Sequence, residues 1–86
     1  MFKEITASLP VGKNHDYIIE FSVDLDVDSG EAIDVYTDKN NYEDLPNHLK
    51  KLNWRARQNQ LFIHVDETSK AWSYLKEHSH YDLDEE

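Results

Sequence analysis

The chain has 86 residues, a net charge of −9 and no cysteine, which excludes disulfides, thiolate metal sites and cysteine nucleophiles. A chain this short buries only roughly 60% of the surface its unfolded form exposes, enough for one small core, and 38% hydrophobic residues with two glycines and two prolines mark a folded rather than a disordered chain. No apolar run approaches the roughly 20 residues that cross a bilayer, and segment 1–10 lacks the apolar stretch of a secretory signal, so a cytoplasmic protein without membrane contact is expected.

The charge is unevenly placed. Residues 15–46 hold ten acids against Lys39, residues 47–76 hold six bases against Asp66 and Glu67, and residues 77–86 are acidic again. Such a field repels nucleic-acid backbones and attracts basic surfaces. Duplex nucleic acid is therefore not an expected ligand.

Ile5, Ala7 and Leu9 alternate along 3–9 and predict a strand, although the spacing of Phe2, Ile5 and Leu9 also permits a short helix. Residues 10–16 carry Pro10, Gly12 and Asn14 and read as a loop. From Tyr17 to Val27 every odd position is apolar (Tyr17, Ile19, Phe21, Val23, Leu25, Val27), while the even positions end in Asp24, Asp26 and Asp28. Side chains alternate faces in a strand, so one face is core and the other a row of carboxylates. A turn follows at Asp28, Ser29 and Gly30, with Gly30 in the left-handed position that closes a three-residue hairpin loop. That loop sets Val27 opposite Glu31, Leu25 opposite Ile33 and Val23 opposite Val35. On the outer face it sets Asp26 by Ala32, Asp24 by Asp34 and Ser22 by Tyr36.

Asp38 to Asn41 break the strand. Leu45, Leu49 and Leu52 then predict a helix, with Asp44 as N-cap, Pro46 in the first turn, and Lys50 and Lys51 at the negative end of its dipole. A second hairpin turns at Gln58 and Asn59. It pairs Arg57 with Gln60, Ala56 with Leu61, Arg55 with Phe62 and Trp54 with Ile63, and continues through His64, Val65 and Asp66. Trp54 and Trp72 are expected to be mostly buried and Phe62 mostly exposed. Asp66 or Thr68 caps a last helix that buries Ala71, Trp72, Leu75 and His78. Residues 79–86 form an acidic tail expected to fray.

These elements predict one small acidic domain over residues 1–86, of class α+β. Its mainly antiparallel sheet of about five strands runs in the order β-β-β-α-β-β-α, with two helices packed on one face. The other face is open and carries Glu20, Ser22, Asp24, Asp26, Asp34, Tyr36, Arg55, Arg57, Phe62 and His64.

The Asp24, Asp26, Asp28 series does not fit a calcium loop. Counted from Asp24, the sixth position is Ser29 rather than glycine, and the twelfth is Val35 rather than glutamate. His78, His80 and Asp82 sit where the last helix frays, which argues against a closed metal site. There is no nucleophile motif and no phosphate-cradling glycine loop. No catalytic residue, metal or cofactor is expected, and the chain reads as non-enzymatic.

The leading functional reading is an acidic protein-binding module, an inhibitor or regulator that engages a basic, nucleic-acid-binding protein through Glu20, Asp24, Asp26, Asp28, Glu31, Asp34 and Asp38. Alternate residues of a strand lie about 6.8 Å apart, the same order as the step between successive phosphates of a nucleic-acid strand. Small acidic α+β proteins that imitate nucleic acid offer a class analogy. A second reading assigns the acidity to solubility and places a protein partner elsewhere, such as the side holding Trp54 and Phe62. A third is a single-stranded RNA or nucleotide binder using Arg55, Arg57, Phe62 and His64, with the aromatic ring as a stacking platform. The pattern does not separate monomer from homodimer.

Overall fold

Alternation builds most of this molecule, a computed structural model that describes residues 1–63 and 67–81. β1 (Phe2–Val11), β2 (Tyr17–Asp26) and β3 (Glu31–Asp38) form an antiparallel meander. β4 (Trp54–Arg57) and β5 (Gln60–Ile63) form a second hairpin that joins it through β5. With β6 (His80–Tyr81) the sheet has six strands in the order β4-β5-β3-β2-β1-β6. A 3₁₀ helix (Lys39–Asp44) and two α-helices, α1 (Asn47–Lys50) and α2 (Thr68–His78), complete the described elements. No helix among the described residues is long and apolar enough to cross a membrane.

The core lies on one face of the sheet. Ile5, Ala7 and Leu9 of β1, Ile19, Phe21, Val23 and Leu25 of β2, and Ala32 and Val35 of β3 meet Leu45, Leu49, Ala71, Trp72 and Leu75. Full burial of each large aliphatic or aromatic side chain contributes about 1.5–3 kcal/mol. The helical reading of residues 2–9 therefore gives way to a strand, because only the period of two buries Ile5, Ala7, Leu9 and Val11 together.

The first hairpin keeps the expected register only in part. Ser22 pairs with Tyr36, Val23 with Val35 and Asp24 with Asp34, but a bulge then intervenes, so that Leu25 faces Ala32 and Asp26 faces Glu31. Ile33 is the extra residue and is only half-buried, whereas Ala32 is buried. Its position has a tertiary cause. The Thr68 hydroxyl donates a 2.8 Å hydrogen bond to the Ala32 carbonyl, drawing β3 against the start of α2. The connection is a four-residue turn closed by the Gly30 amide on the Asp26 carbonyl at 2.7 Å, with Gly30 at φ +77° as expected. Val27 and Tyr17, expected in the core, are exposed; Val27 falls in the turn after β2 and Tyr17 is the first residue of that strand.

The expected helix over Leu45, Leu49 and Leu52 is split. Asp38 rather than Asp44 caps, its Oδ1 accepting from the Asn40 amide at 2.8 Å to start the 3₁₀ helix. Pro46 holds the N-cap position of α1 without a side-chain cap, and α1 is a single turn. Leu45 and Leu49 still reach the core and Leu52 packs against it. The Trp54 indole N–H donates to the Leu49 carbonyl at 2.7 Å, a second donor beside the Leu52 amide at 3.1 Å. This ties Trp54 at the edge of the core, partly buried and packed against it, while Trp72 is fully within it.

At α2, Glu67 holds the N-cap position and its carboxylate accepts from the Asn53 amide. Thr68 is not the cap, since its hydroxyl serves Ala32. Asp66, the other expected cap, lies outside the described residues. His78 is exposed rather than buried; its ring lies 4.4 Å from that of Tyr74. The expected fraying of residues 79–86 is corrected over 79–81. Ser79 caps α2 against the Leu75 carbonyl, His80 and Tyr81 pair with Ser8 and Ala7, and the Tyr81 ring packs edge-on to Trp72 at 5.1 Å. Residues 82–86 lie outside the described residues. The sheet thus has six strands where about five were expected.

Candidate functional site: the open acidic sheet face

Directly paired residues of neighbouring strands share a face, so the registers define the surface opposite the core. One row runs Glu4, Asp24, Asp34 across β1, β2 and β3. The next runs Thr6, Ser22, Tyr36, Phe62, Arg55 across β1, β2, β3, β5 and β4. A third holds Ser8 and Glu20 on β1 and β2, and Asp38, Gln60 and Arg57 on β3, β5 and β4. Neighbouring strands lie about 4.8 Å apart and alternate residues about 6.8 Å apart, so carboxylates flank the central row on both sides.

The bulge adds to this surface. In a continuous register Glu31 sits opposite Val27 on the core side. With Ile33 looped out, Glu31 pairs with Asp26 instead and joins the carboxylate face. Asp26 also accepts from the Asp28 amide at 3.0 Å. Asp28 itself stands in the turn, where it meets the Met1 amino group at 2.8 Å. Of the seven sequence-predicted acids, Glu20, Asp24, Asp26, Glu31, Asp34 and Asp38 therefore share the sheet face and Asp28 stands at its end.

Glu4 was not among the predicted residues. Its signal is present in the chain: with Ile5 inward Glu4 points outward, and a turn over residues 12–16 places it across from Asp24. The strand-or-helix ambiguity of residues 2–9 concealed it.

The field of this row acts on Tyr36. Burial first, then the negative charges of Asp34, Asp24 and Glu4, raise its phenol above the ordinary value of 10.0. A phenolate here would be a further anion beside three carboxylates.

Arg55 and Arg57 stand at the β4 edge of the same face. Among the described residues neither makes an ion pair with the carboxylates, so they do not neutralise the acidic row. Phe62 is half-buried between Tyr36 and Arg55 rather than mostly exposed. His64, expected beside it, lies outside the described residues. No cluster of three or more histidine, aspartate or glutamate side chains among the described residues has the geometry of a metal site.

A shallow groove of about 850 Å³ crosses the face at the end nearer the 3₁₀ helix, with Tyr17, Ile18, Glu20, Tyr36 and Asp38 among its walls. Asn41 fixes that end: its amide donates to Thr37 Oγ1 at 3.0 Å and its carbonyl accepts from the Tyr17 hydroxyl at 3.3 Å. Comparison with known proteins finds no matching family model, curated relative or solved structure.

Proposed function

We propose that this chain is a non-enzymatic binding module that engages a basic, nucleic-acid-binding protein through its open sheet face, occupying the surface such a protein offers to phosphates. The observation that carries the reading is the row Glu4, Asp24, Asp34 on three adjacent strands of the face opposite the core. Like charges directly opposite in a sheet oppose folding. At about 5 Å each such pair costs about 1 kcal/mol in water, and more once a surface excludes the solvent. A basic partner removes that repulsion, so binding gains what folding gives up. The placement of Asp24 and Asp26 at alternate positions of one strand, with Glu20 two outward positions before Asp24, supports imitation of a phosphate array.

The arginine reading has one observation in its favour, the adjacency of Tyr36, Phe62 and Arg55 in a single row. The carboxylates that flank Tyr36 oppose a phosphate backbone on the same platform, and this favours the protein-binding reading.

The test uses the purified chain immobilised on a resin and host proteins that have first been retained by, and eluted from, a duplex DNA column. The reading expects a subset to bind, to be released by duplex DNA or by raised salt, and to be lost with a Glu4→Gln/Asp24→Asn/Asp34→Asn variant. Retention that resists both DNA and salt and survives the variant contradicts it.

A further inference from the structure

We infer that the groove at the 3₁₀-helix end of the open face is an arginine-binding site, receiving a guanidinium group presented by the basic partner. The inference rests on the docking reading above and names the side chain that would enter the face.

The lining chemistry selects the ligand. Glu20 and Asp38 bring two carboxylates from neighbouring strands, and no basic side chain lines the groove. Neither carboxylate has an ion-pair partner among the described residues. Asp38 commits Oδ1 to the Asn40 amide, which leaves its second oxygen for a ligand. Charge complementarity therefore calls for a cation.

The walls then distinguish one cation from another. Tyr36 and Tyr17 line the groove as aromatic walls, and Ile18 adds an apolar surface that is 57% exposed. A guanidinium is planar, weakly hydrated and rich in donors, so it stacks on a ring while forking to carboxylates. An ammonium is compact and strongly hydrated, and uses ring faces less well. The mixture of acceptors and aromatic walls suits arginine over lysine.

The test follows the backbone amides of the full chain by NMR at low salt. The probes are blocked, flexible nonapeptides carrying two arginines, two lysines or two citrullines. The arginine peptide is expected to shift groove residues and to bind at least about fivefold tighter than the lysine peptide, the equivalent of about 1 kcal/mol. The citrulline peptide is expected not to bind. Glu20→Gln/Asp38→Asn, which keeps an acceptor for the Asn40 amide, is expected to abolish the arginine preference. Asp24→Asn/Asp34→Asn is expected to weaken both cationic peptides while keeping it.

Equal binding of arginine and lysine peptides would overturn the groove assignment and leave the acidic docking face standing. Failure of both cationic peptides to shift any open-face residue would overturn both. Groove shifts produced instead by a short thymidine oligonucleotide would also overturn the assignment, in favour of a nucleic-acid ligand.

Discussion

Asp24 and Asp34 lie directly opposite each other on β2 and β3, one step before the strand bulges, with Glu4 across Asp24 on the other side. Three carboxylates in one row is an arrangement that folding alone disfavours. Replacing Asp24 by Asn keeps the side-chain size and removes the centre of the row. The variant is expected to be as stable as the parent or more stable by up to about 1 kcal/mol, read from its urea midpoint. Added salt should narrow the difference, since screening relieves the parent and not the variant. A variant clearly less stable than the parent at low salt would show that Asp24 is held by a favourable contact.

Tyr36 reports the same field. Its phenol is raised by burial and by Asp34, Asp24 and Glu4, so the folded state holds its proton more firmly than the unfolded state. The resulting stabilisation is fully present below about pH 10, the unfolded value, and is lost as pH rises through the folded value. In an ultraviolet titration, the difference between the parent and Tyr36→Phe should show one phenol ionising later than a free tyrosine. Asp34→Asn should move that step to lower pH.

The bulge makes a contrast between neighbouring apolar residues. Leu25 is buried against Ala32, whereas Ile33, its partner in an unbulged register, is half-exposed. Leu25→Ala is expected to cost about 2–5 kcal/mol, and Ile33→Ala less than about 1.5 kcal/mol. Equal losses in thermal or urea unfolding would restore the continuous register.

The two tryptophans should separate by quenching. Trp72 is buried, while Trp54 is half-buried and donates to the Leu49 carbonyl at 2.7 Å. Iodide is expected to quench Trp54 emission and spare Trp72, which Trp54→Phe and Trp72→Phe variants resolve. Trp54→Phe is also expected to cost about 0.5–1.5 kcal/mol through loss of the indole hydrogen bond, because the Leu49 carbonyl keeps the Leu52 amide at 3.1 Å.

Where local pattern and tertiary packing agreed, the chain was legible. The hairpin of β4 and β5 follows its predicted register through all four pairs, because two residues at the turn leave little alternative. The Asp24–Asp34 pair was likewise readable from alternation. What escaped depended on distant partners. The bulge at Ile33 answers to Thr68, 35 residues away. β6 depends on Tyr81 finding Trp72. Glu4 joins the acidic row only through the pairing of β1 with β2, and the groove wall at Asn41 depends on hydrogen bonds to Tyr17 and Thr37 that no local pattern announces. The leucine spacing at 45, 49 and 52 gave the right packed residues on the wrong element, since α1 starts only after Pro46 and runs from Asn47 to Lys50, which leaves Leu45 and Leu52 outside it.

The most direct test of the docking face is the triple variant Asp24→Asn/Asp26→Asn/Asp34→Asn, measured for stability and for affinity toward a basic protein recovered from the DNA column. Docking through this face predicts stability equal to or above the parent, with affinity lower by at least about tenfold, or about 1.4 kcal/mol, and a shallower dependence on salt. Parental affinity with parental salt dependence in a folded triple variant would contradict it and leave the carboxylates as a solvated surface.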